Sequence, residues 1–287
     1  MSAREYLKIL KSGGKAEVLN ALAILDSKGF FIKPYESVPD FCTRVSMLLD
    51  RLDMLDSGDP NLATLLSGAS RIPSTLIDEA SDLTWNIYKF RAEWVPARVS
   101  AKRCGAISEG ILYEVDGMLP MIFLKSSNRK NSSAILAHEM CHAVKVPFPE
   151  SAYCEYFPRR VESRALRLLF GNFFRKWNIP FAIFGSACLS AVLIALNRIC
   201  FGIIALIPAI VAIICEFRIM RILNRARFNL ERMGCEALPL LFRMSDREIS
   251  GFAKSNNPES WLRKMLETSP RWEMYADIFC PNLKKLS

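Results

Sequence analysis

The chain contains only two histidines, and they lie four residues apart with a glutamate directly after the first: His138, Glu139, Met140, Cys141, His142. Residues i and i+4 of a helix project from one face, so both imidazoles can hold a single zinc ion while Glu139 faces a metal-bound water. The chemistry available to such a trio is metal-assisted hydrolysis, with His138 and His142 as ligands and Glu139 as general base. The plain alternative is a helix that carries His and Glu for packing or solvation.

This HExxH spacing is that of zinc peptidases, whose ion takes a third protein ligand and keeps one position for water. No other histidine exists, so the third ligand must be a carboxylate. Glu155, Glu162 and Glu231 compete. Spacing alone favours Glu162, whose distance from His142 is similar to that in thermolysin-like gluzincins. Glu231 would suit integral-membrane zincins, in which a hydrophobic hairpin precedes the last ligand. A transition-state oxyanion also wants a donor beside the metal, for which Tyr153, Tyr156 and Arg159 are candidates. Arg159 reads first as a lipid-facing charge.

The elements around the trio must hold it rigidly. Asn131, Ser132 and Ser133 offer N-caps for a helix running through the histidines and stopping before Pro147. Upstream, Gly110–Val115 and Leu119–Leu124 read as two strands of a hairpin around Asp116-Gly117. Such a strand beside the helix is an edge on which an extended peptide can pair.

Composition adds a membrane. Of the 287 residues 51% are hydrophobic, and the excess is concentrated from Trp177 to Phe217, almost uncharged and interrupted midway by Asn197-Arg198. Each half approaches the length that crosses a hydrocarbon core of about 30 Å at about 1.5 Å per residue, so the pair predicts a two-helix transmembrane hairpin. A hairpin buried in a large soluble core is the other reading. Arg159, Arg160, Arg164, Arg167, Arg175 and Lys176 precede the segment, and Arg218, Arg221, Arg225 and Arg227 follow it. The positive-inside rule then predicts a two-pass integral membrane protein with both termini cytoplasmic. These arginines account for much of the net charge of +9 and suit anionic lipid headgroups; no nucleic-acid-binding signature accompanies them. Nine scattered cysteines form no disulfide framework and read as small buried hydrophobes in a reducing compartment. The N-terminus has no signal-peptide pattern, so no cleaved leader is expected.

The expected fold is mainly α (α+β). A helical N-terminal region covers 1–92, with helices over 16–25, 41–52 and 74–90; a zincin-like HExxH region with its short β-hairpin covers 93–176. The transmembrane hairpin covers 177–217, and a helical C-terminal region 218–287, with helix starts at Ser245 and Pro258.

Several runs together carry a family likeness: 31–41 (Phe-Ile-Lys-Pro-Tyr-Glu-Ser-Val-Pro-Asp-Phe), 93–97 (Glu-Trp-Val-Pro-Ala), 137–143 around the histidines, 149–157 (Pro-Glu-Ser-Ala-Tyr-Cys-Glu-Tyr-Phe) and 241–249 (Leu-Phe-Arg-Met-Ser-Asp-Arg-Glu-Ile). In order and spacing the chain resembles an uncharacterised family of HExxH-containing membrane proteins of Chlamydiae, itself similar to gluzincin-type zinc metallopeptidases. The resemblance implies Glu155 as the third zinc ligand, ahead of Glu162 and then Glu231, although the chain departs from the family pattern at Cys154, Pro158 and Arg159. It implies a peptide or protein as substrate and membrane lipids as partners. It also raises a second expectation, a non-catalytic interaction platform of the bacterial inclusion membrane with its termini facing the host cytosol.

Overall fold

The computed structural model describes residues 1–57, 66–104, 109–115, 119–148, 152–162 and 178–282. Helices dominate, as the apolar periodicity predicts. The N-terminal region contains α1 (Ala3–Ser12), α2 (Lys15–Ser27), α3 (Val38–Asp56) and α4 (Ser74–Tyr88). Ser37 accepts a hydrogen bond from the Asp40 amide at the start of α3, and α2 is followed by Gly29 in the left-handed region at φ +82°, where a side chain would be strained.

One small mixed sheet carries the site. Its strands β1 (Ser70–Arg71), β2 (Ala97–Val99), β3 (Gly110–Val115) and β4 (Leu119–Leu124) lie in the order β1-β2-β4-β3. The hairpin strands match the expected spans, with Gly110 opposite Leu124 and Val115 opposite Leu119. The Asp116-Gly117 turn lies outside the described residues. All six β4 residues are buried, as a continuous apolar run in a central strand should be. Strands β1 and β2 were not expected, because two and three residues are too few to show an alternation. A one-turn helix, α5 (Ala101–Cys104), leads from β2 toward β3, and α6 (Ser132–Lys145) packs on both hairpin strands. Helix α6 ends at Lys145, just before Pro147.

After α6 comes the short helix α7 (Tyr156–Val161). Then α8 (Asn178–Ala195) folds back on α9 (Ile199–Ala205) and α10 (Ile207–Arg232) through Leu196-Asn197-Arg198. Asn197 takes the left-handed conformation at φ 57°, a backbone state that asparagine tolerates better than most residues. Close approach is permitted by Gly202, where a Cβ would fall 2.6 Å from Ile194 and 3.2 Å from the Ser190 carbonyl. Pro208, lacking an amide hydrogen, accounts for the break at Leu206.

Ile199–Arg232 is long and apolar enough to cross a membrane, its 18-residue apolar window having a mean hydropathy of 2.6 with only 17% of it buried. A core helix of a soluble protein would be covered; here Phe201, Ile203, Ile207, Ile210, Ile214 and Phe217 are all about half exposed or more, a contiguous apolar surface that demands a partner. The reading as a buried hairpin is therefore set aside. The preceding apolar stretch, Ala182–Ala195, is shorter than a crossing usually needs. Helix α10 does not stop at Phe217 either. With no Gly or Pro from Ala209 to Arg232, nothing interrupts it until Gly234, at φ +74°.

The C-terminal region supplies α11 (Ala237–Arg243), α12 (Asp246–Lys254), α13 (Pro258–Leu266) and α14 (Pro270–Phe279). Ser245 and Glu248 form the expected capping box of α12. Two buried ionic networks tie this region to the rest. Arg243, fully buried, pairs with Asp26 of α2 at 2.6 Å and donates to the Tyr88 carbonyl at 2.7 Å. Arg271 pairs with Glu248 at 2.7 Å and donates to the Arg243 carbonyl at 2.6 Å. Around them, Phe31, Tyr88, Phe90, Phe157 and Phe242 pack ring against ring with centroids 4.5 to 6.4 Å apart. Helices from both ends of the chain thus share one core with the sheet and α6.

The cysteines depart from expectation. Cys235 and Cys280 form a disulfide across 45 residues, which no spacing signal announces. Cys188, Cys200 and Cys215 are exposed on the apolar hairpin and Cys154 is half-buried, while Cys42, Cys104 and Cys141 are buried as anticipated.

Candidate metal centre

His138 and His142 sit one turn apart on α6 with their Nε2 atoms 3.1 Å from each other. Glu155 faces both. One of its oxygens lies 3.7 Å from His138 Nε2 and the other 3.5 Å from His142 Nε2. One ligand atom from each of the three residues lies within 4.8 Å of the other two, close enough to surround a single metal ion with ligand distances of about 2.0–2.2 Å after small side-chain adjustments. The three residues are the described group whose His, Cys or carboxylate atoms converge closely enough to hold a metal.

Glu162 has a different place. Its carboxylate lies 2.6 Å from His138 Nδ1, the nitrogen pointing away from the presumptive ligand face, although off the axis of a straight hydrogen bond. Glu155 and Glu162 bracket α7 as its N-cap and C-cap. Seven residues make two helical turns, which puts both carboxylates on the side facing α6. The structure thus separates the two glutamates by the nitrogen each one meets. A carboxylate on the remote nitrogen of a ligating histidine fixes the ring's orientation and tautomer. Glu231 is not brought to the site and pairs with Arg227 at 2.6 Å on its own helix.

Glu139 points toward β3. A Cβ on Gly110 would fall 2.7 Å from Ile135 and 3.1 Å from the Glu139 carboxylate, so only glycine lets the strand come this close. Burial pushes the Glu139 carboxyl above its usual range; His138 and His142 pull it back, and Glu155 and Glu162 add to the rise. Burial would also raise Glu155, but His142, by contact and by charge, with His138 and Arg159 behind it, holds that carboxyl at about 2. For His142 burial acts downward, and Glu155 and then Glu139 outweigh it, leaving the imidazole above its ordinary value. A metal ion taken up there would have to displace a proton.

Of the three candidate donors, Arg159 pairs with Glu155 at 3.1 Å and is only 18% exposed, so the lipid-facing reading is wrong. An arginine one helical turn after a carboxylate ligand is drawn in by that charge. Tyr153 is buried in the wall of the adjoining cleft. The Tyr156 hydroxyl is taken up by a hydrogen bond from Arg160.

The cleft beside His142 has a volume of about 310 Å³. Leu112 and Glu114 of β3 form one wall, and Phe148, Phe157 and Phe242 line the other side. Sequence reasoning missed the distant parts of this frame. Tyr88 donates to the Phe157 carbonyl at 2.6 Å, Lys145 donates to the Phe242 carbonyl at 3.1 Å, and the Asp246 carboxylate accepts from the Ala152 amide at 2.7 Å. They anchor α6, α7 and the Glu155 loop to α4, α11 and α12. The runs around Phe31 and Leu241-Phe242-Arg243 were the only signal pointing there.

The geometry makes a graded prediction for zinc. Glu155→Ala is expected to abolish stoichiometric binding, Glu162→Ala to weaken affinity by about 10–100-fold, and Glu231→Ala to change nothing. Competition against a zinc chelator measures all three, and equal losses for Glu155→Ala and Glu231→Ala would refute the assignment. Compared with models of known protein families, with curated proteins and with solved structures, the chain returns no match.

Proposed function

We propose that the chain is a membrane-anchored zinc metallopeptidase. The observation that carries the reading is the convergence of His138, His142 and Glu155, with the Glu139 charge acting on both histidines. When bound, zinc would polarise a peptide carbonyl and acidify a water. Glu139, with its carboxyl raised by burial, accepts the proton of the attacking water and passes it to the leaving amine. Glu162 positions His138, and Arg159 orients Glu155. The outer edge of β3, which pairs only with β4 among the described strands, offers main-chain groups to an extended peptide running along the cleft. Glu139 argues against the non-catalytic platform, since a structural zinc site has no use for a base beside it.

We take both α8 and Ile199–Arg232 to cross the bilayer, which returns the chain to the side it came from. The flanking arginines support a cytoplasmic placement of the body outside the bilayer. One observation favours the opposite orientation: the Cys235–Cys280 bond suits an oxidising compartment. Trapping free thiols at lysis decides between them, because alkylation of both cysteines is compatible only with the cytoplasmic arrangement.

The test of the activity is hydrolysis of unstructured peptides by the full chain in detergent or nanodiscs. Activity is expected to disappear on chelation and to return with about one equivalent of zinc per chain. Undiminished activity in excess chelator would exclude the mechanism.

A further inference from the structure

Helix α10 belongs to two environments at once. Its first half carries the exposed apolar surface that ends at Phe217, and its last turns are embedded in the soluble body through Leu223, Ala226 and Leu230, none of which is exposed. No Gly or Pro lies between Ala209 and Arg232, so the two halves are joined without a hinge. Leu223 follows Phe217 by six residues, which sets the near side of the body roughly 9 Å from the end of the apolar stretch at about 1.5 Å per residue. Arg227 lies against the Tyr156 hydroxyl, and Tyr156 is the neighbour of Glu155. The metal centre is thus tied to a level ten residues beyond Phe217, or roughly 15 Å along the helix. The headgroup layer occupies about 5–8 Å of that height. Exposed Arg218 and Arg221, about 1.5 and about 6 Å beyond Phe217, fall in this layer, where their charges meet lipid phosphates, and exposed Arg225 lies just above it.

We propose that α10 is a ruler holding the catalytic cleft just above the headgroups, and that the substrates are extended juxtamembrane segments of membrane-anchored polypeptides. The proposal rests on the peptidase reading and on α10 crossing the bilayer. An extended chain covers at most about 3.3–3.6 Å per residue, so four or five residues bring a tethered segment from the hydrocarbon edge to the cleft. Sharing one membrane raises the local concentration of such a segment far above that of a free peptide.

The experiment co-reconstitutes the zinc-loaded full chain in nanodiscs with a single-span polypeptide whose linker repeats one six-residue unit, so that cut positions report distance and not sequence. Mass spectrometry is expected to find cuts clustered within about ten residues of the span, and at least tenfold slower cleavage of the same linker free in solution. Seven residues inserted after Arg218, two helical turns or about 10.5 Å, should move the cluster outward by about three residues. Evenly spread cuts, an unmoved cluster or equal rates on the free linker would overturn the ruler and leave the peptidase standing. No cleavage of any linker would remove the peptidase reading and the inference with it. Neutron reflectometry of the chain in a supported bilayer reads the height without activity. Soluble density beginning within about 10 Å of the headgroups, and rising by about 10 Å in the insertion variant, is expected; a body standing clear of the surface would refute the proposal.

Discussion

Glu139→Gln is expected to leave about one zinc per chain while lowering kcat/KM on any cleavable peptide by about 10²–10⁴-fold, the usual contribution of a positioned general base. Glutamine preserves the shape that fits against Gly110 and Ile135 and removes only the proton acceptor. His138→Ala should also abolish activity, but by losing the metal, so the pair of variants separates catalysis from binding. Zinc content by elemental analysis and peptide hydrolysis on the same preparations check both. Activity surviving in Glu139→Gln, or zinc lost from it, would mean that this glutamate is not the base.

The second large effect is on stability. Arg271→Met leaves Glu248 buried without its partner, and breaking a buried pair in this way costs about 3–5 kcal/mol. The loss should depend on pH with a definite sign. In the native protein burial works to raise the Glu248 carboxyl, but Arg271 and the Ser245 amide overcome it and hold the group below its ordinary value. The pair therefore stabilises the fold fully above the unfolded value near 4.5, and that contribution disappears as the pH falls through the folded value. In Arg271→Met the Ser245 amide still favours the ionised form, but burial, the larger effect, now favours the neutral acid. The deficit against the parent protein should be largest at pH 7 and should shrink toward pH 4. Denaturant titrations of both proteins across this range measure it, and a deficit independent of pH would show that Arg271 acts by packing alone. The effect reaches the site because Arg271 holds the Arg243 carbonyl, and Phe242 beside it lines the cleft.

Short-range patterns made much of this molecule legible. Helix α6 runs from Ser132 to Lys145 and stops just before Pro147, which cannot continue it, and α12 begins with the Ser245–Glu248 capping box that its sequence displays. Helical periodicity alone places His138 and His142 together, so two members of the group that could hold a metal were legible for the same reason. For a third candidate ligand, spacing alone favoured Glu162, whereas the group that could hold a metal contains Glu155. Glu155 and Glu162 are two turns apart on one side of α7, and what separates them is which nitrogen of His138 each one meets. That distinction depends on how α7 docks on α6, which in turn depends on Tyr88 and Phe242, residues distant in sequence. Long-range partners hide in the same way elsewhere. The Arg243–Asp26 pair spans 217 residues and the Cys235–Cys280 bond 45, and neither leaves a local trace. The boundary drawn at Phe217 followed hydropathy, whereas the helix itself follows backbone hydrogen bonding and continues to Arg232.

The most direct test of the central claim is zinc X-ray absorption spectroscopy on the purified full chain, with zinc content measured on the same sample. About one zinc per chain is expected, with two imidazole nitrogens and carboxylate and water oxygens at about 2.0–2.2 Å, and loss of the bound zinc in Glu155→Ala. Folded protein that takes up no zinc, or a zinc site whose ligands survive Glu155→Ala unchanged, would contradict it.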